Sequence, residues 1–210
     1  MVEPLAFRCT SCGNCCRSLR VAVTAHDVAR LARGTSRPWS KLVEWLAPDA
    51  VDMSGEPESF VELPEGRRLM VLAQRDGACA LLGPDDRCRA YAARPRDCRA
   101  FPFDFQPSSD GRQHLALLPL TGCDYAEDGD SHLPTLASED AERWRELREY
   151  QRWVGAWNRQ AWHRKRLFKR LGSAAEFLER SFKQLEGGDP SRCSTAPGSP
   201  RTSPAAESDG

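Results

Sequence analysis

Phe7-Arg8-Cys9-Thr10-Ser11-Cys12-Gly13-Asn14-Cys15-Cys16 gathers four cysteines into residues 9–16. A two-residue gap lets one turn aim two sulfurs at a common point, while its peptide N–H groups bond to them. Coordination needs thiolate, and the charge of a metal drives the deprotonation. Gly13 allows the backbone angles that bring N–H groups toward the sulfurs. The adjacent Cys15 and Cys16 point in different directions, so they do not suit one small ion. One of them serves a second site or a position on a larger cluster. Unpaired cysteines often act as small buried hydrophobes, but the neighbours Thr10, Ser11, Asn14 and Arg17 are too polar for that here.

Working outward, the chain carries 9 cysteines in 210 residues. Cys79, Cys88, Cys98 and Cys123 follow the first loop, and Cys193 lies far down the chain, where it is incidental. Taken singly, Cys79 or Cys123 also fits plain packing. Taken together, four clustered and four dispersed cysteines can furnish two four-thiolate sites, or one site with spare thiols. Met1 to Arg8 shows no basic region followed by an apolar run, and no stretch approaches the ~20 apolar residues of a membrane span. The expected compartment is therefore the reducing cytoplasm, where many cysteines mean metal or redox chemistry rather than disulfides. Lys plus Arg balance Asp plus Glu at 30 each, so no overall field favours nucleic acid or an anionic membrane.

The expected class is α+β: a small cysteine-rich metal-binding domain of short strands and helices over 1–130, a helical extension over 131–186 and a disordered tail over 187–210. Thr24 and Asp27 form a capping box for a helix running to about Arg33, with Gly34 as its stop. Ser36 and Pro38 open a second helix through Trp39, Leu42, Val43 and Leu46, which Pro48 ends. Residues 59–63 and 67–74 read as strands joined by Pro64-Glu65-Gly66, and 114–120 as another strand. Phe101, Phe103 and Phe105 alternate like a half-buried strand shielding the site. From Ser138 a long helix places Trp144, Leu147, Val154 and Trp157 near one face. Gly172 caps it, and Ser173 with Glu176 opens the next. Phe168, Leu171, Ala175, Leu178, Phe182 and Leu185 form a core stripe. Residues after 187 are rich in Gly, Pro, Ser and Thr.

Three segments occur in order: Cys9-x2-Cys12-x2-Cys15-Cys16, Cys88-Arg89-Ala90-Tyr91, and Arg94-Pro95-Arg96-Asp97-Cys98-Arg99-Ala100-Phe101-Pro102. In combination, over roughly 7–125, they resemble the CxxCxxCC cysteine-cluster family, the YkgJ-like zinc- or iron-chelating domains. Flagellin lysine-N-methylase is similar in the same cluster. The resemblance implies that Cys9, Cys12, Cys15, Cys16, Cys79, Cys88, Cys98 and Cys123 are the metal-ligand candidates.

Zinc prefers four tetrahedral ligands, usually from two separated pairs, whereas this loop already crowds three or four sulfurs. An iron–sulfur cluster of the 4Fe–4S type is favoured on that ground, with zinc close behind. His26, His114, His132 and His163 are scattered and read as surface or packing residues. Arg94, Arg96 and Arg99 either donate toward sulfur and offset a negative cluster or face water. The basic run Arg159–Arg170 reads as a solvated helix face before it reads as a nucleic-acid contact. The functional expectation is a metal-binding protein for redox or metal handling. Two alternatives stand beside it: a cluster-dependent protein-lysine methyltransferase, implied by the resemblance, and a zinc-stabilised scaffold whose C-terminal helices bind a protein partner. No glycine-rich nucleotide loop supports the methyltransferase.

Overall fold

A computed structural model describes residues 7–51, 56–107, 113–118, 122–129 and 133–187. Of the tail expected over 187–210, Gly187 is helical, and the rest, with Cys193, lies outside the described residues. The α+β expectation holds, with helices and small antiparallel sheets combined in one core.

Three elements open the chain. Strand β1 (Arg8–Cys9) leads into the short helix α1 (Asn14–Ser18), and helix α2 (Ala25–Thr35) follows. The capping box of α2 forms as expected. Asp27 N–H donates to Thr24 Oγ1 at 3.2 Å, and Thr24 N–H donates to Asp27 Oδ2 at 3.0 Å. The helix does not stop at Gly34. It runs on to Thr35, and Gly34 instead lets α2 approach a 3-10 turn, where an added Cβ would lie 2.4 Å from Ala93 Cβ.

The second predicted helix is wrong. Only Trp39–Lys41 turn, as a 3-10 helix, and Val43–Leu46 form strand β2. The physical reason is a partner distant in sequence. Strand β4 (Gly66–Leu72) has two edges, and one takes β3 (Val61–Leu63) while the other takes β2, with Val43 opposite Leu72. The four-residue match to helical spacing loses to that ladder, because the backbone groups at the open edge of β4 need partners. The turn expected around Pro64-Glu65 is present, and Leu63 faces Gly66 in the register.

A second hairpin joins β5 (Gln74–Arg75) to β6 (Ala78–Cys79). Asp76 and Gly77 both have positive φ, 51° and 79°, which suits a tight two-residue hairpin loop. Helix α3 (Arg96–Ala100) carries Cys98, and β7 (Phe103–Pro107) pairs antiparallel with β8 (Gln113–Leu117). Strand β9 (Tyr125–Ala126) returns to pair with β1.

The 34-residue helix α4 (Leu133–Arg166) and helix α5 (Ala174–Gly187) complete the fold. Tyr150, Val154, Trp157, Phe177 and Leu178 pack into the same core as Val28, Leu31, Leu42, Val61, Met70 and Leu81. Side chains of α4 also cap the free edge of β3. Asn158 Oδ1 accepts from Glu62 N–H and its Nδ2 donates to Phe60 O, both at 2.8 Å, and Trp157 Nε1 donates to Glu62 O at 2.8 Å. Helix α4 ends at Arg166, short of the expected Gly172. Gly172 has a packing role instead, since a Cβ there would sit 2.3 Å from the Trp157 ring. Ser173 and Glu176 form the expected second capping box, with Ser173 N–H donating to Glu176 Oε2 at 2.7 Å. The predicted core stripe is partly corrected: Leu178 is buried, Phe177 joins it, and Phe168 is 99% exposed.

Candidate metal centre

Gly13 begins the site. Its φ of 72° and ψ of 0° turn the chain sharply into α1, and Cys16 N–H donates to Gly13 O at 3.0 Å. An added Cβ would lie 2.8 Å from an Arg17 guanidinium nitrogen and 3.0 Å from Asp86 O. The loop is tied down from both sides. Asn14 Nδ2 donates to Gly122 O at 2.9 Å, and the Thr10 hydroxyl donates to Asp124 O. Arg17 pairs with Asp86, which fastens α1 to the turn between Leu82 and Cys88. Those two residues bridge across that turn, and Gly83 N–H closes it on Arg87 O at 2.8 Å.

All eight predicted cysteines are unpaired, and all line one cavity of about 920 Å³. They divide by their mutual influence. Cys15, Cys16, Cys79, Cys88 and Cys98 form an inner group. The Cys16 thiol lies between the Cys15 and Cys79 sulfurs and hydrogen-bonds with both. Cys9, Cys12 and Cys123 form an outer group near the β1–β9 pair, with Cys15 within reach of both groups. Among the described residues, no three His, Cys, Asp or Glu side chains are drawn together tightly enough to clasp an ion. The cavity thus collects the sulfurs without closing them on a point.

The electrostatics favour thiolate at two positions. The hydrogen bond from Cys16 brings Cys15 down to about 6, against the opposing effect of burial, and the positive charge of Arg94 helps. The Cys16 hydrogen bond likewise brings Cys79 down to about 7. Cys16 is pushed up by its hydrogen bonds with Cys15 and Cys79 and by burial, so it keeps the proton that these three sulfurs share. Burial pushes Cys98 and Cys88 up, and it is also the main reason that Cys123 rises to about 11. Buried neighbouring thiols cannot all ionise together unless a cation enters to balance them.

The arginines of the second segment have clear positions. Arg94 stacks on Tyr91 at 3.9 Å, and its Nε donates to Tyr91 O at 3.2 Å. Arg99 donates from Nε to Arg94 O at 3.1 Å and from Nη2 to Ala92 O at 2.5 Å, which holds the approach to α3 in shape. Arg96 does neither thing expected of it. It bonds to Glu146 on α4 at 3.1 Å. On the outer side Phe7 packs edge-on to Phe103 at 4.9 Å and lies 5.2 Å from Tyr125. Of the three phenylalanines expected to shield the site, Phe101 and Phe103 line the cavity. Sequence reasoning missed the roles of Arg17, Asp86, Thr10 and Asn14. Their polarity within a cysteine loop was visible, but their partners lie 69–114 residues away.

The donor chemistry fits a thiophilic metal. No histidine lines the cavity among the described residues, and His26 is stacked on Trp153 at 5.0 Å. The model of the family CxxCxxCC, described as "Putative zinc- or iron-chelating domain", matches residues 8–118. This chain belongs to the CxxCxxCC family. The matched stretch of this CxxCxxCC protein holds Cys9 through Cys98, and Cys123 lies just beyond it. No curated protein and no solved structure matches the chain.

Proposed function

We propose that this CxxCxxCC protein holds an iron–sulfur cluster through cysteine thiolates and uses it in electron transfer or metal handling. One observation carries the reading: eight unpaired cysteines, drawn from segments 9–16, 79–98 and 123, line a single cavity. The inner five would hold the cluster, because Cys15 and Cys79 are poised to ionise and Cys16 lies between them. A cluster spans several sulfur positions, which suits adjacent Cys15 and Cys16 better than a single ion does. If the cluster took Cys16, Cys79, Cys88 and Cys98, Cys15 would be left to complete a four-thiolate site with the outer three, of the kind zinc takes. Arg94 would offset the negative charge of a thiolate-bound cluster, while the Tyr91 ring fixes its orientation.

Anaerobic purification followed by iron, acid-labile sulfide and zinc analysis tests this reading, together with the visible spectrum. Brown protein containing iron and sulfide supports it. Colourless, zinc-loaded protein replaces the cluster with zinc at the same cysteines. Folded protein that takes up neither metal overturns it.

A further inference from the structure

Helix α4 ends in a turn built on an unusual residue. Lys169 N–H bonds to Arg164 O at 2.9 Å, and Phe168 N–H bonds to Lys165 O at 3.1 Å. This is the paired-bond reversal that usually places glycine at its left-handed position. Here that position belongs to Phe168, with a φ of 51°. A side chain is disfavoured in that conformation. Phe168 is also 99% exposed, beside Leu167 at 63% and Trp162 at 53%. The chain thus bears backbone strain and an exposed aromatic ring at one residue, and no packing within the fold compensates for either. Strain kept without an internal reason points to an external one.

The surroundings of the tip say what that is. Residues 159–170 include Arg159, Arg164, Lys165, Arg166, Lys169 and Arg170 and no acidic residue, in a chain whose net charge is zero. Lys165 pairs with Glu62 and Arg170 with Glu176. Arg166 lies over the Trp162 ring at 4.9 Å. Arg159, Arg164, Arg166 and Lys169 have no acidic partner among the described residues. The helix behind them is tied to Glu62 of β3 through Trp157 and Asn158. None of residues 159–170 lines the cysteine cavity.

We propose that the Leu167–Phe168 turn is a contact for an anionic membrane surface. Phe168 and Leu167 enter the interface, Trp162 lies at headgroup level, and the four unpaired cations meet lipid phosphates and carboxylates. Leu167 and Phe168 stand exposed at the tip with cations on either side, an arrangement suited to a layered surface that is apolar inside and anionic outside. Single-stranded nucleic acid would also use the cations and stack on the rings, but Leu167 offers no stacking face. No described helix is long and apolar enough to cross a membrane, so this contact lies on the surface and is reversible.

Co-sedimentation of the full chain with phosphatidylcholine–phosphatidylserine vesicles, against phosphatidylcholine alone, tests the proposal. Salt-sensitive binding to the anionic vesicles only is expected. Phe168→Gly should weaken it by at least about tenfold, while the melting temperature holds or rises because the strained residue is gone. A double Arg164→Gln, Lys169→Gln variant should weaken it by roughly fivefold for each charge removed. Absence of vesicle binding, or equal binding by Phe168→Gly, overturns the proposal. So does capture by polyuridylate at the same salt without vesicle binding. Metal content should match the unmodified protein in every variant, which keeps this result separate from the cysteine site.

Discussion

Glu146 Oε1 of helix α4 lies 3.1 Å from Arg96 Nη2, two residues before Cys98. The same carboxylate takes Arg30 of α2 at 3.0 Å, and Asp27 accepts the Arg96 N–H at 3.0 Å. One buried acid, with its side chain 5% exposed, therefore couples the long helix to the segment that carries the cavity-lining Cys98. Burial would raise the Glu146 carboxyl, but hydrogen bonds and charge from Arg30 and Arg96 outweigh it and hold the group below its ordinary value.

Glu146→Ala should cost about 3 kcal/mol, because it leaves Arg30 and Arg96 without their anion. Urea denaturation at neutral pH measures this. The sign with pH follows from the depressed carboxyl. Its contribution is complete above the unfolded value of about 4.3 and is lost as pH falls through the lower folded one. Glu146→Gln should flatten that part of the acid limb, and an unchanged acid limb would remove Glu146 from the account.

A Cys12→Ser, Cys15→Ser double variant should lose bound metal and thermal stability together, since a bound metal stabilises only the fold that holds it. Metal analysis and melting on the same preparation check this. Full metal content in that variant would refute the ligand assignment. Cys193→Ser should leave the metal content unchanged.

Gly172→Ala should destabilise by about 1–3 kcal/mol through overpacking, because its methyl would meet the Trp157 ring at 2.3 Å. The Trp157 side chain also donates to Glu62 O, so it cannot move away freely. Calorimetry reads the loss, and a neutral result would mean that α5 shifts to make room.

Thr24→Ala should cost about 1 kcal/mol by opening the capping box of α2. The hydroxyl also donates to Asp27 Oδ2 at 2.9 Å, the residue that receives Arg96 N–H. Denaturant titration should show a lower midpoint with an unchanged slope.

The two capping boxes were legible because all their partners lie within three residues. The strand pair β3–β4 was legible from its alternation and turn. Strand β2 was not, because Trp39, Leu42, Val43 and Leu46 also match helical spacing, and only the open edge of β4 decides between the two. The tight hairpin at Asp76-Gly77 is signalled locally by its Asp-Gly pair, which suits positive φ at both loop positions. At the site, the cysteines were legible as a set, but not their division into inner and outer groups. That division depends on long-range ties such as β1 with β9 and Arg17 with Asp86.

The tie between the Thr10 hydroxyl and Asp124 O joins positions 114 residues apart. During synthesis the first four thiols leave the ribosome long before the segment that holds their loop in place exists. The loop therefore gains its ties to Gly122 and Asp124 only after translation has passed residue 124, so its final shape is set late in synthesis.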